Sequence, residues 1–120
     1  MPPNADPATL NFIVAFCLAN LAPYGLQRII LFGSRSWTGA PKINSDHDFM
    51  AVVDNAAPQT ICTGGAQWSQ LIVVLNQARL AAGLGEIDLL VAREAHFAQS
   101  SMIPGTFPHA ASANSFDVWP

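Results

Sequence analysis

Asp46 and Asp48 stand two residues apart at the head of an apolar run, Asp46-His47-Asp48-Phe49-Met50-Ala51-Val52-Val53. Side chains alternate along a strand, so acids at this spacing share a face, with α carbons about 6–7 Å apart. Carboxylates that close repel unless positive charge lies between them. Mg²⁺ is the usual answer, because it takes oxygen ligands and is held by one or two carboxylates together with substrate phosphates. Asp88 sits in a second apolar run, Ile87-Asp88-Leu89-Leu90-Val91, where an acid is costly to bury without a partner. A neighbouring strand would bring it beside the first two. Three converging carboxylates suit a two-metal centre.

A third apolar run, Arg28–Phe32, stops at Gly33-Ser34. Gly33 lets the backbone come close to a ligand, and Ser34 adds a hydroxyl and an N–H for phosphate oxygens. This is not a Walker A loop: Gly39 falls one place late and Ala40 follows it. A dinucleotide fingerprint is absent too. His47, between the two acids, points to the opposite face by the same alternation. It reads as a hydrogen-bonded packing residue rather than a ligand.

These residues need elements to position them. Asp6-Pro7 is a helix start, since the Asp side chain caps backbone N–H groups and proline suits the first helical position. Leu10, Ile13, Val14, Cys17 and Leu21 follow at helical spacing, and Pro23 and Gly25 end the helix. Arg28–Phe32 reads as a buried strand, 34–45 as a loop, 46–53 as a second strand and 55–65 as a loop ending in Gly64-Gly65. A helix is expected from Ala66 to about Ala82, with Trp68, Leu71, Ile72, Leu75 and Ala78 inward and Gly83 at its end. Glu86–Ala92 reads as a third strand, Glu94–Ser101 as a short helix, and 101–120 as an irregular tail. The expectation is a single domain over 1–120, with its core at about 8–100. Its class is α/β (α+β): a small mixed sheet of three or more strands, with helices mainly on one face.

The order Leu31-Phe32-Gly33-Ser34-Arg35, a loop, then Asp46-His47-Asp48-Phe49 resembles the signature of the DNA polymerase β-like nucleotidyltransferase superfamily. It is most similar to the minimal nucleotidyltransferase (MntA-like) group of small prokaryotic proteins, over roughly residues 8–100. The group's third acid matches Asp88. The resemblance implies the nucleotidyltransferase fold and a transferase that uses ATP or another NTP with Mg²⁺ (or Mn²⁺) and passes a nucleotidyl group, AMP above all, to an acceptor hydroxyl. On this pattern Gly33 and Ser34 hold the β- and γ-phosphates. Asp46, Asp48 and Asp88 are the catalytic metal ligands, and Asp88 also helps deprotonate the acceptor. Arg35 either steadies the leaving pyrophosphate or is a solvated charge. His47 departs from the pattern, which usually has an aliphatic residue there. Each feature has a plainer reading alone: Gly33 a strand-end turn, Asp46 a turn acid, Asp48 an edge charge. Their arrival in this order favours the chemical one.

Half of the 120 residues are apolar (51%), 11% are charged and the net charge is −3. Arg28, Arg35, Lys42, Arg79 and Arg93 are scattered, and gripping a nucleic-acid backbone takes a basic stripe, so no nucleic-acid substrate is expected. Cys17 and Cys62 show no zinc or redox spacing and read as buried thiols in a reducing compartment. The apolar stretch Leu10–Ala22 lacks a preceding positive charge and is too short to span a bilayer. It reads as a core helix of a cytoplasmic protein without membrane contact. His96 and His109 read as surface residues, Trp68 and Trp119 as core or interface.

Two functions follow. One is an active adenylyltransferase. The other is a non-catalytic antitoxin-like module that neutralises a HEPN-type helical partner by complex formation, as the resemblance to toxin–antitoxin members implies. Retention of all three acids favours the enzyme. With the chain ending soon after the third strand, part of the acceptor site is expected from that partner or from a homodimer.

Overall fold

The computed structural model describes residues 6–32, 47–100 and 115–119. Helix α1 (Pro7–Leu21) begins where Asp6 caps it: the Asp6 carboxylate accepts from the Thr9 N–H at 3.2 Å and the Thr9 hydroxyl at 2.7 Å. A short 3-10 turn (Ala22–Tyr24) leads to Gly25 in the left-handed region, φ +73°. Strands β1 (Arg28–Phe32) and β2 (His47–Val53) follow. Helix α2 (Ala66–Ala81) then returns the chain to β3 (Ile87–Arg93) and the short α3 (Glu94–Ser100).

β1 pairs antiparallel with β2, and β2 pairs parallel with β3. A parallel pair needs a crossover, which α2 supplies. Gly65 opens α2 pressed so tightly on the Thr60 carbonyl that a Cβ would lie 2.2 Å from its oxygen. At the other end Gly83 (φ +73°) donates to Leu80 O at 3.1 Å and Leu84 N–H to Arg79 O at 2.9 Å. This paired closure of the last turn is the one glycine after a helix serves.

The stretch 101–120, expected to be irregular, holds a fourth strand, β4 (Ser115–Trp119), antiparallel to β1. The sheet order is therefore β3-β2-β1-β4. β4 is five residues long and follows a stretch punctuated by Pro104, Gly105 and Pro108, so its own apolar signal is too short to stand out. Tertiary pairing decides: Arg28 meets Asp117 at 2.8 Å, and Val118 and Trp119 pack against the core. The expected ends of α2 and β3 move by one residue, as frayed ends do, while Asp46 and Ser101, the expected start of β2 and end of α3, lie outside the described residues.

The main core lies between one sheet face and the helices α1 and α2. It holds Leu10, Ile13, Phe16, Cys17 and Leu21 of α1, Leu71 and Leu75 of α2, and Ile29, Leu31, Phe49, Ala51, Val53, Leu89 and Val91 of the strands. α1 with the turn after it is long and apolar enough over Pro7–Tyr24 to pass for a membrane span by length and composition, and a third of that window (33%) is buried, with Leu10, Ile13, Phe16, Cys17 and Leu21 in the core. On the other face Phe97 of α3 covers a smaller cluster, Ile30, Met50, Val52 and Ala92. Cys17 is buried; Cys62, expected to be buried too, is half-buried beside the 3-10 turn Gln59–Ile61.

Candidate functional site

The register of the parallel pair fixes the central fact. Asp48 of β2 is the direct partner of Asp88 of β3. Adjacent strands lie about 4.8 Å apart, and residues in register point to the same side. On β2 and β3 the odd-numbered apolar residues enter the main core, while Met50, Val52, Leu90 and Ala92 face α3. The two acids therefore project from the α3 face. Phe97 covers that face towards the C-terminal ends of the two strands, whereas the acids stand at their N-terminal ends. Asp48 is half-buried and Asp88 exposed.

Both acids line a cleft of about 530 Å³ that reaches past the edge of β3 to Trp68, Ile72, Asn76 and Arg79 of α2. Trp68 Nε1–H donates to the Leu89 carbonyl at 3.1 Å, holding α2 against that edge. Arg79 Nε–H donates to Asn76 Oδ1 at 2.9 Å. These two cleft residues escaped the sequence reading, which treated Arg79 as one scattered base. The signal was present in the spacing 68, 72, 76, 79, which puts all four on one helix face.

On its other side Asp48 is partnered by Phe32, the last residue of β1. Gly33 is bonded to Phe32, so the expected phosphate loop departs one strand from Asp48. Gly33, Ser34, Arg35 and Asp46 themselves lie outside the described residues. Asp46 is bonded to His47, which limits its α carbon to within about 7–8 Å of that of Asp48. Among the described residues no three His, Cys, Asp or Glu side chains gather as a metal group. They contribute the pair Asp48–Asp88.

His47 takes the opposite face, as alternation requires. It is 6% exposed, stacks on Phe49 with ring centroids 6.2 Å apart and planes at 12°, and accepts the Asp6 N–H at Nε2 (3.1 Å). It is thus a hydrogen-bonded packing residue. The Thr9 hydroxyl bonded to Asp6 holds that carboxyl below its usual value against a smaller opposing effect of burial, with the Thr9 and Ala8 N–H groups adding to it. A second recess, of about 170 Å³, opens between α3 and the 3-10 turn, lined by Cys62, Thr63, Arg93 and the exposed His96. It holds no acid.

No family model matches the sequence, and no curated protein does. Among solved structures, the chain is similar to one in a crystal structure of a toxin–antitoxin with AMP-PNP (TM-score 0.52, 23% identity, 92% of this chain and 72% of that one). It also matches a crystal structure of the toxin–antitoxin MntA-HepT (TM-score 0.45, 19% identity, 95% of this chain and 72% of that one). The first of these likenesses shows the fold: the mixed sheet with its helices is one that a chain of a toxin–antitoxin structure shares.

Proposed function

We propose that this chain is a metal-dependent nucleotidyltransferase that moves AMP from ATP onto an acceptor hydroxyl of a partner protein. The observation that carries this reading is the in-register pairing of Asp48 with Asp88, one strand from the residue that leads into Gly33-Ser34. A chain of the same fold has been crystallised in a toxin–antitoxin with AMP-PNP, which bears a triphosphate-like chain.

Two carboxylates on one face, about a strand spacing apart, suit a cation that prefers oxygen ligands. Asp46, Asp48 and Asp88 would hold Mg²⁺ or Mn²⁺, which when bound neutralises phosphate charge. On this reading Gly33 and Ser34 would bind the β- and γ-phosphates, and Arg35 would steady the leaving pyrophosphate. Asp88, the more exposed of the described pair, takes the proton of the acceptor hydroxyl. That oxygen attacks the α-phosphorus, a new P–O bond forms, the bond to the bridging oxygen breaks, and pyrophosphate leaves with the electron pair.

A second reading has its own support. Val73, Val74 and Leu80 stand 57%, 48% and 65% exposed on α2, an apolar surface that suits a protein partner. The partner would be a HEPN-like helical protein, neutralised by contact alone, or a second copy of the chain.

Calorimetry separates the two. ATP should bind only with Mg²⁺ or Mn²⁺, and the double variant Asp46→Asn, Asp48→Asn should lose about a hundredfold or more in affinity, since two ligand charges go. Unchanged affinity in that variant rejects the site. Mass spectrometry of a co-expressed helical partner should show the addition of one nucleotide. A partner that is neutralised without modification hands the function to the binding module.

A further inference from the structure

Asp48 is in register with Phe32 of β1 on one side and Asp88 of β3 on the other. One residue earlier the hold is looser: the His47 N–H reaches Glu86 O only at 3.4 Å, beyond the usual 2.7–3.2 Å. A site that must hold two carboxylates in fixed geometry needs a firmer support. The His47 side chain supplies one from beneath. Its ring is buried, lies flat against Phe49, and accepts the Asp6 N–H at 3.1 Å, which ties it to the residue that caps α1.

We infer that His47 is a positioning residue: its imidazole clamps the acid-bearing strand to the head of α1 and so sets the pitch of the Asp48 carboxylate beside it. The inference rests on the reading of Asp46 and Asp48 as metal ligands. It accounts for a polar, buried ring next to an acid, Asp48, on the opposite face of the strand. It also assigns the cap of α1 a second task, because the Asp6 carboxylate holds the helix while the Asp6 amide holds the strand.

The test uses variants that separate the ring from the acceptor. His47→Phe keeps the stacked ring and removes the acceptor. His47→Gln removes the ring and returns an oxygen to roughly the position of Nε2. His47→Leu lacks both. The first readout is amide exchange of residue 47 in the protein without ligand. Exchange should quicken about tenfold in His47→Phe and His47→Leu, the weight of one hydrogen bond, and stay within about twofold of the parent in His47→Gln. The second readout is the affinity for Mn²⁺–ATP well below the melting temperature, where a loss of stability alone leaves binding unchanged. It should weaken about tenfold in Phe and Leu and recover in Gln. Parent-like exchange in His47→Phe and His47→Leu overturns the clamp, as does a Gln variant that behaves like Phe. Failure of the parent protein to bind Mn²⁺–ATP overturns the proposed function instead, and exchange at residue 47 still decides the clamp.

Discussion

The two faces of this sheet are built from the same strands and differ in what covers them. One face carries α1 and α2 along its length and buries Phe49, Leu89, Ile29 and Leu31 to 1% exposure or less. Among the described residues the other carries seven-residue α3, whose Phe97 packs with Ile30, Met50, Val52 and Ala92, while Asp48 and Asp88 stand towards the opposite end of their strands. A thickly covered face needs no charge and tolerates none unpaired. The face with the thinner cover among the described residues leaves Asp48 half-buried and Asp88 exposed. The division runs residue by residue through β2: His47, Phe49, Ala51 and Val53 belong to the thick side, Asp48, Met50 and Val52 to the thin side.

The comparison breaks if the two sides respond alike to truncation. Phe49→Ala should destabilise the fold by about 3–5 kcal/mol, because a fully buried aromatic leaves a cavity beneath a rigid sheet. That is a large share of the roughly 5–15 kcal/mol that holds a domain together. Leu90→Ala, on the thin side and half-buried, should cost about 1 kcal/mol, in line with partial burial. Urea melts of both variants give the two values. Equal losses would mean that α3 protects its face as well as α1 and α2 protect theirs.

Much of this architecture was legible because apolar runs ended at residues with one local meaning. Pro7, Gly25 and Gly83 mark helix ends. Asp48 and Asp88 were legible as acids inside apolar strands. Their pairing was not, since register between parallel strands depends on how α2 folds back, and a strand carries no record of its partner. β4 stayed hidden for the same reason: Ser115–Trp119 becomes a strand by pairing with β1, and nothing local requires it. The line of Asn76 and Arg79 along the cleft was legible in principle. The apolar members of that helix face, Trp68 and Ile72, drew the eye to the core instead.

The cysteines sharpen the comparison in reactivity. Cys17 lies in the thick layer, where burial pushes its thiol up to about 12. Cys62 is half-buried and lines the recess near α3. The thiolate is the reactive form, so at pH 8 the shift leaves Cys17 about a thousandfold short of thiolate compared with an unshifted thiol. Iodoacetamide should label Cys62 alone in the folded protein and reach Cys17 only on unfolding. Peptide mapping reads the result. Comparable labelling of both would show that the α1 layer opens on the timescale of the reaction.

The smallest expected effect falls where the thick layer begins. Asp6→Ala should cost about 1 kcal/mol, the usual worth of a helix cap. Asp6→Asn keeps a capping oxygen and should differ by only a few tenths of a kcal/mol at neutral pH. The two side chains part on acidification. The folded protein holds the Asp6 carboxyl below its ordinary 3.8, with the Thr9 hydroxyl as the leading cause. A group whose acidity is strengthened by folding stabilises the fold fully above its unfolded value and loses that contribution as pH falls through the folded one. The parent protein should therefore lose ground to Asp6→Asn below about pH 4 and keep its cap advantage over Asp6→Ala above it. Thermal melts from pH 7 down to pH 3 measure the crossover. Parallel curves for parent and Asp6→Asn would show that the Thr9 bonds do not distinguish the charged carboxylate from a neutral amide.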